Sequence, residues 1–129
     1  MKTIISFLLL LLLLSQTSSA QQPLTMSNYD SVAMEEVQYL TQKLQLLPQQ
    51  KAKVLELSRQ YYQHRAALAP KLSAMQRQTS IAQYQSTKEK GFKEVFTESQ
   101  WHSYQQLIQQ RRQRMEAKMQ ELKKQRTRN

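Results

Sequence analysis

Apolar side chains recur every three or four positions over most of the chain, which is the spacing of one helix face. The first such stripe consists of Met34, Val37, Leu40, Leu44 and Leu47. Asp30 or Ser31 is suited to cap this helix, because a short polar side chain can accept a hydrogen bond from an amide of the first turn. Pro48 ends the stripe and favours the start of a second helix.

Three further segments continue the helical pattern. The second is marked by Val54, Leu57, Tyr61 and Leu68 and is interrupted at Pro70. The third is marked by Leu72, Met75, Ala82 and Gln85, and Gly91 indicates a helix stop or hinge after it. The last is marked by Trp101, Tyr104, Ile108, Met115, Met119 and Leu122. With no strand pattern among them, these segments predict an all-α fold of four helices joined by short connections.

The first twenty residues have the pattern of a secretory signal peptide. Lys2 precedes an apolar block from Ile4 to Leu14, and Ser18, Ser19 and Ala20 supply the small residues at a cleavage site. We predict export to the periplasm with cleavage after Ala20; an uncleaved signal anchor is the alternative. The domain prediction is a signal peptide at 1–20, a disordered leader at 21–29, a helical domain at 30–125 and a disordered tail at 126–129.

The amino-acid composition excludes several classes of fold and of chemistry. The chain has 129 residues, one Gly and no Cys, and its 19 Lys and Arg against 9 Asp and Glu give a formal net charge of +10. One Gly argues against hairpin-rich, Rossmann and P-loop folds, and the lack of Cys excludes disulfides and thiol chemistry. Leu, Ile, Val and Phe make up only about 17% of the residues after Ala20. We therefore expect oligomerisation or helices that stay partly exposed.

Candidate catalytic and metal-binding groups are few. No Ser-His-Asp set or catalytic pair of carboxylates stands out, so we predict no enzymatic activity and no cofactor, although distant residues could still be brought together by the fold. His64 and His102 have no ligand partner four positions away. Met115 and Met119 are the pair that could bind copper(I), but stripe positions favour packing in the core. We predict no metal site.

Two segments fifty residues apart share the outline of a helix start. In the segment 96–101, Thr97 can cap the helix while the side chain of Gln100 returns a hydrogen bond to the backbone of the cap, which is a capping box. The segment 46–50 has the same outline, but Leu47 replaces the threonine and supplies no acceptor. The residues that carry this repeated motif are Leu46, Leu47, Pro48, Gln50, Phe96, Thr97, Gln100 and Trp101.

This motif resembles the Leu-Thr-x-x-Gln repeat of the periplasmic Spy/CpxP family, with Phe96 in place of the first Leu and Leu47 in place of one Thr. The resemblance covers residues 34–122. It implies a long kinked helical hairpin with flanking helices, paired as a cradle-like antiparallel homodimer. It also implies an ATP-independent chaperone that holds unfolding envelope proteins on a basic, partly apolar surface. The alternatives are an adaptor that inhibits an envelope-stress sensor kinase and a metal-stress sensor.

The charge pattern favours the same kind of partner, because a cationic surface attracts acidic polypeptides quickly and without strict selection. The candidate client-binding residues are Lys51, Lys53, Arg59, Arg65, Lys71, Arg77, Arg111 and Arg112, with further positive charge at Arg114, Lys118, Lys123 and Lys124. Nucleic acid is the competing partner, which the predicted export disfavours. Peripheral attachment of the last helix to anionic lipid is another alternative, although Glu116 and Glu121 interrupt its positive charge. We expect no stable membrane insertion.

Overall fold

The computed structural model describes residues 22–128, and the predicted signal peptide at 1–20 lies outside them. These residues form four α-helices: α1 (Tyr29–Leu44), α2 (Pro48–Ala66), α3 (Ala74–Val95) and α4 (Glu98–Arg128). No strand occurs between residues 22 and 128, so the predicted all-α class is confirmed. None of the four helices is both long and apolar enough to cross a membrane.

Helix α2 lies between α1 and α3 and packs against both. Helix α4 contacts α1 and α3, and the part that joins the core is near its start. The core consists of Val37, Leu40, Leu44, Leu46, Val54, Phe92, Phe96 and Tyr104. Residues 109–128 of α4 are all exposed, so the last five turns of this helix lie outside the core.

The start of α1 differs from the prediction. Asn28 occupies the N-cap position, but its side chain accepts a hydrogen bond from the Thr25 amide at 2.7 Å and donates to the Pro23 carbonyl at 2.9 Å. Asp30 lies in the first turn, where it accepts a hydrogen bond from Arg59 of α2. The prediction that Asp30 or Ser31 caps α1 is therefore wrong, because the preceding turn sets the helix start two residues earlier.

Other helix ends also differ from those expected. The hydroxyl of Ser73 accepts a hydrogen bond from the backbone amide of Gln76 at 3.1 Å. The side-chain oxygen of Gln76 accepts one from the backbone amide of Ser73 at 3.0 Å. This capping box, which the sequence analysis overlooked, fixes the start of α3. Helix α4 continues to Arg128, past position 125 where the helical domain was expected to end, since its last twenty residues contain no Gly or Pro.

Gly91 does not stop a helix, and that prediction is wrong. It lies inside α3, and a Cβ atom at this position would come within 2.7 Å of both Leu57 methyl carbons on α2. The absence of a side chain allows α2 and α3 to approach closely here.

Several side chains predicted for the core are exposed instead. These are Met34, Leu47, Met75, Met115, Met119 and Leu122, with exposed fractions between 44% and 78%; Ala82 is exposed as well. Periodicity places residues on one helix face, but it does not show whether a neighbouring helix covers that face. On α4, the face that packs at Tyr104 continues into a part of the helix that nothing in residues 22–128 covers.

Candidate functional site

The two copies of the repeated motif meet in the fold. The side-chain amide of Gln50 donates to the side-chain oxygen of Gln100 at 2.7 Å, and the amide of Gln100 donates to the oxygen of Gln50 at 3.2 Å. The two glutamines therefore form a reciprocal pair that joins the starts of α2 and α4.

Each glutamine also caps its own helix. The side-chain oxygen of Gln100 accepts a hydrogen bond from the backbone amide of Thr97 at 3.0 Å. The Thr97 hydroxyl in turn accepts one from the backbone amide of Gln100 at 3.2 Å. The capping box expected at Thr97 is thus present. Gln50 accepts from the Leu47 amide at 2.9 Å, but Leu47 supplies no side-chain acceptor, so the first copy is half a capping box.

The remaining amide hydrogens of the pair reach helix ends. Gln50 donates to the Val95 carbonyl and Gln100 to the Leu44 carbonyl, both at 3.1 Å. Those carbonyls belong to the last residues of α3 and α1, where helical partners are missing. Leu46 and Phe96, which open the two motifs, are buried in the core. The motif residues are therefore occupied in holding the four helices together.

Trp101, another residue of the motif, belongs to an aromatic cluster at the start of α4. Its ring stacks on Tyr104 with centroids 5.4 Å apart, and Phe96 packs against the same tyrosine at 5.7 Å. Burial raises the pKa of the Tyr104 phenol, because the charged phenolate would lose its hydration there. The aromatic group anchors the start of α4 to the core.

A buried ion pair joins α1 and α3. The ammonium of Lys88 lies 2.8 Å from the carboxylate of Glu36, and the two side chains are only 4% and 10% exposed. The ammonium also lies 4.2 Å from the centre of the Tyr61 ring and close to the rings of Tyr62 and Phe92. Burial lowers the pKa of Lys88, while the negative charge of Glu36 opposes that effect.

Sequence reasoning missed this pair. Glu36 lies on the face of α1 that also carries Ala33, Val37 and Leu40, and such a position is a signal that a charged residue is buried. One oxygen of the Glu36 carboxylate has no hydrogen-bond partner among residues 22–128. Among residues 22–128, Lys88 is therefore the residue that both hydrogen-bonds and ion-pairs with the Glu36 carboxylate.

The exposed half of α4 combines apolar and basic side chains. Ile108, Met115, Met119 and Leu122 follow one another at helical spacing, and we name these four residues the α4 seam. Met115, Met119 and Leu122 are 63%, 55% and 44% exposed. Residues 109–128 carry eight Lys and Arg against two Glu, a net charge of +6. The exposed part of α4 therefore combines an apolar strip with a strong positive charge.

A groove runs along this surface. It has a volume of about 580 Å³ and lies between Gln85 of α3 and the α4 residues Ile108, Arg111, Arg112, Met115, Glu116, Met119, Gln120 and Lys123. An adjoining hollow of about 370 Å³ shares Ile108 and Arg112 and extends past Trp101. We name these two adjoining depressions together the α3–α4 groove.

The eight basic residues predicted to bind clients fall into two groups by their place in the fold. Arg111 and Arg112 line the α3–α4 groove beside the exposed methionines. The other six lie on α2, the α2–α3 connection and α3: Lys51, Lys53, Arg59, Arg65, Lys71 and Arg77.

Four of those six are engaged within the fold. Lys53 pairs with Glu56 at 3.1 Å and Arg59 with Asp30, Arg65 lies over the Tyr61 ring, and Arg77 donates to the Ala69 carbonyl at 3.3 Å. Of the eight, Arg111 and Arg112 lie in one groove with exposed apolar side chains.

The histidines are placed on helix surfaces. His64 stacks on Tyr84 with ring centroids 4.8 Å apart, and His102 lies 3.3 Å from the Gln106 side chain. Within residues 22–128, no group of three or more His, Cys, Asp or Glu side chains is close enough to hold a metal ion.

Comparison with protein-family models, curated proteins and solved structures found no match for this chain.

Proposed function

We propose that this protein is an exported, ATP-independent chaperone of the Spy/CpxP type, which holds unfolding polypeptides in the α3–α4 groove. The observation that carries the proposal is the row of Met115, Met119 and Leu122, exposed on a helix segment of net charge +6. Large apolar patches are uncommon on proteins without a binding partner, so such a row indicates an interaction surface.

The chemistry of the groove suits weak and unselective binding. Lys and Arg attract acidic polypeptides over a Debye length of about 8–10 Å, which speeds the encounter. Methionine side chains are flexible and polarizable, so they adapt to many apolar shapes without a fixed fit. Together these features favour rapid, reversible capture that needs no nucleotide.

The fold leaves this surface free for binding. The core is built from α1, the first half of α2, the end of α3, the start of α4 and the connections at Leu46 and Phe96, and the α3–α4 groove beyond Ile108 contributes nothing to it. The repeated motif, on which the resemblance rests, joins helices through Gln50 and Gln100 rather than holding a ligand. Binding and folding therefore rest on different residues, and each can be changed separately.

The proposal includes a homodimer in the periplasm, as the resemblance implies, and light scattering of the exported form measures the mass directly. A sensor-kinase adaptor differs from a chaperone in how many different proteins it binds. A chaperone suppresses the aggregation of several unrelated unfolding proteins, whereas an adaptor binds one folded partner at one stoichiometry and leaves unrelated proteins unaffected.

The test is an aggregation assay with several chemically unfolded clients of different net charge. The proposal predicts suppression of aggregation without ATP for all of them, stronger for acidic clients and weaker at about 0.5 M salt, where charges are screened beyond a few ångströms. No suppression for any client would refute it. Suppression that is equal at low and high salt would refute the electrostatic part.

A further inference from the structure

Two grooves that share Met115 of the α4 seam run along α4, and we name the two together the cleft. Met115 lines the α3–α4 groove, which Gln85 borders, and it also lines a second groove of about 310 Å³, which Tyr39 of α1 borders. Arg111 lines both grooves as well. Gln85 of α3 and Tyr39 of α1 thus stand beside the seam at Met115, which favours a narrow, rod-shaped partner over a flat bilayer there.

Positive charges border the seam on both sides. Successive residues of a helix are rotated by about 100°, which places Arg111 and Lys118 along one edge and Arg112, Glu116 and Lys123 along the other, so that cations exceed anions on both. A second copy of α4 laid on the seam would bring cations against cations, which is destabilising. A partner with acidic residues on both borders of its apolar face is complementary to this arrangement.

The walls of the cleft are helices, whose backbone groups are already hydrogen-bonded within each helix. An extended peptide therefore gains no backbone hydrogen bonds from these walls. An amphipathic helix satisfies its own backbone and presents apolar side chains every three or four positions, in the manner of helix-in-groove recognition. The exposed part of α4 has twenty residues, about 30 Å, which is enough to contact several turns of such a helix.

We infer that the cleft binds an amphipathic helix whose apolar face is bordered by acidic residues on both sides. This inference deepens the proposed function and rests on it, because it names the chemistry of the client segment that the same groove prefers. A chaperone that holds clients without preferring helices would leave the proposed function intact and refute only this inference.

The first experiment compares three synthetic peptides by fluorescence anisotropy with the intact protein. One is an amphipathic helix with Leu on one face and Glu on both borders, the second has Lys in place of Glu, and the third has the residues of the first in scrambled order. The acidic amphipathic peptide should bind at least about tenfold more tightly than either of the others. Equal binding of the scrambled or the basic peptide would overturn the inference.

The second experiment reverses charges on the protein. Arg111→Glu together with Lys118→Glu should weaken binding of the acidic peptide about tenfold and improve binding of the basic peptide. Lys51→Glu together with Lys71→Glu is the matched control, since both lysines are exposed and lie outside the cleft. Equal effects of the two double variants would contradict a local site.

The third experiment locates the peptide. The chain contains no Cys, so Met119→Cys on the seam and Ala117→Cys on the opposite face can each carry one environment-sensitive fluorophore. The acidic peptide should shift the emission of the label at position 119 to shorter wavelength and leave the label at 117 unchanged. A shift at both positions would refute the inference. So would a shift that appears without peptide as protein concentration rises, or one produced by phosphatidylglycerol vesicles and not by the peptide.

Discussion

Gln50 and Gln100 exchange hydrogen bonds between their side-chain amides, at 2.7 and 3.2 Å, although fifty positions separate them in the chain. Each glutamine also accepts a hydrogen bond from the cap of its own helix and donates one to the end of α1 or α3. The repeated motif thus has a physical role, because it satisfies backbone groups at four helix ends at one point in the fold.

Replacing Gln100 with Ala removes this pairing and leaves the Leu44 carbonyl and the Gln50 amide without their partner. We expect a loss of about 1–3 kcal/mol in the free energy of unfolding, the usual cost of an unsatisfied buried polar group. Urea denaturation measures it. Gln105→Ala, at an exposed position on the same helix, is the control and should change stability by less than about 0.5 kcal/mol. Similar losses in both variants would show that the pair has no special role.

Leu47 occupies an N-cap position with extended backbone, and 63% of its surface is exposed. Leu47→Thr supplies the missing side-chain acceptor and completes the first capping box, so we expect stabilisation by about 1 kcal/mol. Thr97→Ala should destabilise by a similar amount, because it removes the acceptor that bonds the Gln100 amide. Thermal unfolding of both variants measures the two shifts. A lower melting temperature for Leu47→Thr would mean that the two motif copies are not equivalent.

Lys88→Met leaves the Glu36 carboxylate buried without its cation. Removing one partner of a buried ion pair typically costs about 3–5 kcal/mol, and we expect a loss in that range. Glu36→Leu combined with Lys88→Met removes both charges and should recover much of the loss.

Lys53→Met is the control for this prediction, since Lys53 and Glu56 form an ion pair in which both side chains are 55% exposed. Exposed pairs contribute about 0–1 kcal/mol, so this variant should remain close to wild type in urea denaturation. The account of the buried pair fails if Lys88→Met is no more destabilising than Lys53→Met.

Gly91→Ala places a methyl group 2.7 Å from two carbons of Leu57. Overpacking of this kind costs about 1–3 kcal/mol, although Ala ordinarily favours a helix over Gly. Shortening the neighbour should relieve the clash, so Gly91→Ala should be less harmful in a Leu57→Ala background than in the wild type. A double-mutant cycle measures the coupling. Stabilisation by Gly91→Ala alone would show that α2 and α3 move apart without cost.

Local signals in the sequence predicted much of this fold. The spacing of Val37, Leu40 and Leu44 identified the buried face of α1, and Thr97 with Gln100 identified the start of α4. These features depend on residues within one or two turns of each other. The pairing of Gln50 with Gln100 was not predicted, because it depends on how two separate helix starts come together.

Contacts between separate helices, which local sequence patterns do not contain, also explain the predictions that were wrong. The methionines of α4 continue the stripe that begins at Trp101, and periodicity alone favoured a place for them in the core. Whether they are covered depends on where α1 and α3 lie, which no local pattern contains. Glycine is common at helix ends, so the sequence predicts a helix stop or hinge at Gly91, whereas its role here is to admit Leu57 of another helix.

The most direct measurement compares two triple variants in the client aggregation assay. Met115→Gln, Met119→Gln and Leu122→Gln together remove the exposed apolar side chains of the seam. The matched control replaces three apolar side chains elsewhere, which are 47–78% exposed against 44–63% for those of the seam, in Met34→Gln, Leu47→Gln and Met75→Gln. The account predicts that the seam variant stays folded and loses most of the protection of unfolding clients, while the control keeps it. Full protection by the folded seam variant would contradict the claim that α4 captures clients.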